Sequence, residues 1–71
     1  MGLTLEQLAW GEQVRRLAHA RILLDPELRR LNRELKRAAA PDGGTYEERI
    51  ARMRAVEDRI GEHLGIGPRP R

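Results

Sequence analysis

Two capping boxes fix where helices must begin in this chain. Thr4-Leu5-Glu6-Gln7 and Thr45-Tyr46-Glu47-Glu48 each place a threonine hydroxyl three residues before a Gln or Glu. The hydroxyl accepts from the backbone N–H three residues on, and the longer side chain there reaches back to the threonine N–H. Leu3 and Leu8 flank the first box where a hydrophobic staple would close it. A third start lies between the two. In Asp25-Pro26-Glu27 the aspartate caps, the proline fits the first turn, and the glutamate meets the positive helix end. The stops are equally explicit: the link Ala40-Pro41-Asp42-Gly43-Gly44 precedes the second box, and Leu64-Gly65-Ile66 offers a glycine for the left-handed residue past a helix end.

These signals predict helices over residues 4–24, 26–39 and 46–64. In the second, Leu28, Leu31, Leu35 and Ala38 fall on one stripe, and in the third so do Tyr46, Ile50, Met53, Val56, Ile60 and Leu64. The expected fold class is all-α: an antiparallel helical hairpin of helices two and three, plus an N-terminal helix. Proline pushes Asp25 out of the α region, which predicts a break or sharp kink there. One long bent helix from Thr4 to Ala39 is the alternative. Residues 1–65 then form a single small helical domain, and 66–71 a mobile basic tail with nothing to bury.

A chain of 71 residues with no Cys and no Phe must build its core from Leu, Ile, Val, Met and Ala. At this size such a core rarely supplies more than ~3–5 kcal/mol, so docking on a partner or self-association is expected. The first helix points the same way. Trp10, Val14, Leu17 and Leu24 form a heptad-like seam interrupted by Arg21, while Leu5, Leu8, Ile22 and Leu23 fall on other faces. A helix that is apolar on several sides is covered on several sides. The expected function is a non-enzymatic interaction or assembly module. Its interface would be Trp10, Val14, Leu17 and Leu24, with Leu5 and Ile22, and its partner another protein or a second copy.

Catalysis fails on inventory. His19 and His63 sit on different helices without the His-Glu-x-x-His or Glu-x-x-His spacing of a metal site. The hydroxyls are Thr4, Thr45 and Tyr46, and both threonines are caps. Glu47-Glu48 and Glu57-Asp58 are adjacent residues, which diverge by about 100° on a helix and do not converge on one atom. Gly43-Gly44 lacks the strand, Lys and Ser/Thr of a phosphate loop. No enzyme, cofactor, metal or small-molecule substrate is expected. Neither a membrane-length apolar run nor a secretory pattern is present, which leads to the expectation of a cytoplasmic protein.

Charge supplies the competing function. Residues 15–37 carry eight basic side chains against Asp25, Glu27 and Glu34, a local balance of +5, and Arg29, Arg33 and Arg37 recur every fourth residue. Arg29, Arg33, Lys36 and Arg37 would then lie on phosphates of a nucleic acid, with Arg69 and Arg71 of the tail adding to the grip. Against this, no aromatic side chain is interleaved for base stacking. The same arginines also suit a solvated or protein-facing surface.

Overall fold

The computed structural model describes residues 2–41 and 44–71 as three helices: α1 (Leu5–Arg21), α2 (Pro26–Ala39) and α3 (Tyr46–His63). Met1, Asp42 and Gly43 lie outside the described residues, and with the last two the middle of the expected Pro-Asp-Gly-Gly loop. Both capping boxes form. Thr4 Oγ1 accepts from Gln7 N at 3.1 Å while Gln7 Oε1 accepts from Thr4 N at 3.0 Å. Glu48 N reaches Thr45 Oγ1 at 3.1 Å, and Thr45 N reaches Glu48 Oε1 at 3.2 Å. Asp25 is extended (φ −122°, ψ 101°), its carboxylate accepting from Leu28 N at 3.1 Å with Pro26 in the first turn. At the other end of α3, Gly65 takes φ 78°, Ile66 N bonds Gly61 O at 3.0 Å and Gly65 N bonds Glu62 O at 3.1 Å. That pair of bonds is the Schellman arrangement, and Ile66 packs on the core as the motif requires.

The chain therefore breaks at Asp25, and the single bent helix is ruled out. The break also comes earlier than the capping pattern predicts: α1 stops at Arg21, not Leu24. Leu24 N turns back to Arg21 O at 3.0 Å, and the freed carbonyls find a side chain instead. Arg29 Nη1 donates to Ile22 O at 3.1 Å and Leu23 O at 2.8 Å, closing α1 from the first turns of α2. Orphan carbonyls at a helix end need such donors. Arg29→Ala is expected to cost about 1 kcal/mol in urea unfolding, the net worth of a typical hydrogen bond. Arg33→Ala, one turn on with no ion-pair or hydrogen-bond partner among the described residues, should change stability by a few tenths of a kcal/mol at most.

α2 and α3 pack closely as an antiparallel hairpin, and α1 packs on α3 while scarcely touching α2. The core is Trp10, Val14, Leu28, Leu31, Ala38, Val56, Ile60 and Leu64, with Leu17, Ala18, Leu35, Met53 and Ile66 packed around it. Tyr46, expected on the α3 stripe, is instead two-thirds exposed at the helix start, with the Arg49 guanidinium 5.6 Å from its ring centre. The molecule measures 34 × 28 × 14 Å. Because α1 packs on α3 and scarcely touches α2, the bundle is open between α1 and α2.

His63, at the last turn of α3, places Nε2 2.7 Å from Asp25 Oδ2 and so ties the end of α3 to the start of α2. The His63 contact and the Leu28 N–H hold the Asp25 carboxyl below the ordinary carboxylate range. Glu27 is lowered by Arg30, and Glu48 by the Thr45 N–H and hydroxyl. A depressed folded pKa stabilises above the unfolded value and loses that contribution as pH falls through the folded one. Thermal stability should thus hold above about pH 4–5 and fall below it. Asp25→Asn keeps a capping oxygen but removes the titration, and is expected to flatten part of that acid limb in a melting series from pH 6 to 2.

Candidate functional site

Because α1 leans on α3 and leaves α2, a cleft of about 370 Å³ opens between them. Most of its lining is apolar: Val14, Ala18 and Ile22 from α1 and its end, Leu35 from α2, and Met53 and Ile60 from α3. Arg15, His19, Asn32 and Glu57 complete the lining, so that one carboxylate faces one guanidinium, an imidazole and an amide. Ile22 and Asn32 also line a second, shallower depression with Leu23, Arg29 and Arg33. The apolar surface thereby continues out of the cleft and round the corner between α1 and α2. There Leu23 is 84% and Leu24 89% exposed, the two least covered large apolar side chains besides Leu5 at 85%. The early stop of α1 explains them, since an irregular turn has no facing helix to bury its side chains.

The six interface residues expected from sequence are divided by the fold. Trp10 and Val14 are buried in the chain's own core, so the expected seam is not a free surface along α1, and Val14 also lines the cleft. Leu17 packs on that core, Ile22 lines the cleft, and Leu5 and Leu24 are exposed at opposite ends of α1. Leu24 cannot share a heptad face with Trp10, because the helix has ended before it. Ala18, Leu35, Met53 and Ile60 line the cleft as well as packing in or on the core, where the helical stripes place the last three. The sparse α1–α2 packing leaves Ala18, Leu35 and Met53 only partly buried, while Ile60 stays in the core.

The four candidate phosphate ligands are likewise divided. Arg29 is committed to the α1 carbonyls. Arg33, Lys36 and Arg37 are exposed on α2, with no ion pair among the described residues. Neighbouring Arg30 is paired with Glu27, and Glu34 lies 3.4 Å from Arg59 of α3. Asp58, one turn from Arg54, is taken by Arg69 at 3.2 Å rather than by the i,i+4 partner its spacing suggests.

That last contact belongs to the largest correction. The segment expected to be a free basic tail folds back over the N-terminal half of α1. Trp10 Nε1 donates to Gly67 O at 3.1 Å, and Gln7 Nε2 donates to Pro70 O at 3.0 Å. The Arg69 guanidinium lies 4.6 Å from the centre of the Trp10 ring. Its Nη2 is 3.9 Å from Glu57 Oε1, and its side chain is only 16% exposed, so Arg69 is not presented to a phosphate. Arg71 remains exposed. Gly65 and Gly67, at φ 78° and 96°, make the reversal that other residues would adopt only under strain.

Among the described residues no helix is long and apolar enough to cross a membrane, and no three His, Cys, Asp or Glu side chains are grouped to hold a metal. Comparison with protein-family models, curated proteins and solved structures finds no match to the chain.

Proposed function

We propose that the chain is a non-enzymatic docking module that takes an amphipathic helix of a partner protein into the cleft between α1 and α2. The observation that carries this is the cleft itself, an apolar groove continuous with Leu23 at the corner, on a molecule whose own core is thin. Helix-in-groove recognition uses such a surface, anchored by apolar side chains at i, i+3, i+4 and i+7. Arg15, His19 and Arg33 around the opening, against Glu57, favour a partner helix with acidic flanks. The net charge of +3 weighs against a second copy as the occupant.

The test is anisotropy of a labelled synthetic 18-residue helix with a Leu/Ile stripe and Glu flanks, titrated with the full chain. Saturable binding is expected, lost with Ala18→Arg and absent for the same helix with Lys flanks. Equal binding of both helices, or binding that survives Ala18→Arg, sinks the cleft reading. Sedimentation of the protein alone covers the other occupant: a concentration-dependent doubling of mass that Ala18→Arg removes would assign the cleft to a second copy.

A nucleic-acid reading keeps one supporting observation: Arg33, Lys36 and Arg37 are exposed and have no ion-pair partner among the described residues. Three phosphate contacts would give a log–log salt slope of about −2.7 on duplex DNA. Titrating a random-sequence duplex at low and high salt measures it, and no binding at low salt removes this reading.

A further inference from the structure

Residues 67–70 are held as a bound peptide is held. Two carbonyls of the segment are read by side chains: Gly67 O by the Trp10 indole and Pro70 O by the Gln7 amide. Its one long side chain in that stretch, Arg69, is laid on the Trp10 face and aimed at Glu57 and Asp58. Pro68 and Pro70 restrict the backbone, so little entropy is lost on docking. An aromatic face with a carbonyl-reading donor, and carboxylates beside it for a cation, is the equipment of sites that take extended proline-rich segments. The internal fit is incomplete. Arg69 Nη2 is buried without a hydrogen-bond partner, and Glu57 stands 3.9 Å away, beyond hydrogen-bond reach. The chain arrives from Gly65 two residues before Gly67, a short tether that limits how the guanidinium can settle.

We infer that Gln7, Trp10, Glu57 and Asp58 form a recognition site for an extended Arg-Pro peptide segment, which residues 67–70 occupy in cis. A segment of the same chemistry from another chain competes for it, free of the tether. This site is separate from the α1–α2 cleft and does not rest on the docking role proposed for it. In the intact chain residues 67–70, a strap across α1, act at an effective concentration in the millimolar range, so the wild type resists an external peptide. Removing the strap's own arginine opens the site.

The experiment uses the full-length Arg69→Ala protein and the synthetic peptide Ile-Gly-Pro-Arg-Pro-Arg, with Trp10 fluorescence as the readout. The Trp10 signal should shift in the variant and return on adding peptide. The peptide should bind the variant at least ~10-fold more tightly than the wild type, as expected when a millimolar internal competitor is weakened. A peptide with Ala in place of its first Arg should not bind. If the folded variant gives no saturable response, or responds equally to the two peptides, the inference is overturned. Should Arg69→Ala lose its helical circular dichroism, the same titration on Arg69→Lys decides. That variant keeps the charge and packing stem but loses the planar fork that stacks on Trp10.

Discussion

Trp10→Ala is expected to abolish cooperative unfolding of this chain at 25 °C. The indole is 6% exposed and meets α3 at Gly61, the strap at Gly67 and Arg69, and the core cluster shared by all three helices. Truncating a buried aromatic costs about 3–5 kcal/mol. A core of this size supplies little more than that in total. The subtraction leaves nothing to keep α1 on the hairpin, and far-UV circular dichroism with a urea titration should show a sloping, helix-poor baseline. Trp10→Phe separates packing from polar contacts. It retains most of the buried ring but loses the N–H···O bond to Gly67 and weakens the guanidinium stack, for about 1–2 kcal/mol. A Trp10→Ala protein that melts cooperatively with less than ~1 kcal/mol lost, a fraction of the tabulated cost, would show that α1 is an appendage rather than part of the fold.

What could be read from the sequence divides by range. The helix starts at Thr4, Asp25 and Thr45 were legible because each is settled within three residues, and so was the Gly65 stop. The stripes of α2 and α3 point to the hairpin, since each of these helices has one dominant apolar face to hide against the other. α1 resisted for the same reason inverted. Its apolar residues lie on several faces, and periodicity does not say which of them meets the chain's own core. Trp10 and Val14 went inward, Ile22 to the cleft, and Leu24 left the helix altogether. The end of α1 depended on Arg29, seven residues beyond Ile22, which looked like one of a row of surface cations. The strap was least legible. Its partners are 57 and 63 positions away, and Gln7 already has a local role in the Thr4 cap. One amide does both tasks: Oε1 accepts from Thr4 N and Nε2 donates to Pro70 O. Nothing local signals the second.

The same substitution at two helical glycines should move stability in opposite directions. Glycine inside a helix is about 0.8–1 kcal/mol less favourable than alanine, so Gly→Ala begins with that gain. At Gly11 in α1 the added Cβ would meet only Arg15 Nη1 at 3.5 Å, the far end of a flexible side chain, and a gain of up to about 1 kcal/mol is expected. At Gly61 in α3 the Cβ would lie 2.6 Å from Trp10 Cζ2 and 3.3 Å from Gly67 O. The indole cannot swing aside without surrendering its bond to Gly67 and its contact with Arg69. Overpacking a fitted site costs about 1–3 kcal/mol, which exceeds the propensity gain. Gly61→Ala should therefore lose up to about 2 kcal/mol in urea unfolding, the difference between those two terms. The clash is with the outer ring of the indole, which phenylalanine lacks. In a Trp10→Phe background Gly61→Ala should turn neutral or stabilising, giving a coupling energy of about 1 kcal/mol or more between two residues 51 positions apart. Strict additivity of the two substitutions would place the Trp10 ring away from Gly61, and with it the whole seat of α1 on α3.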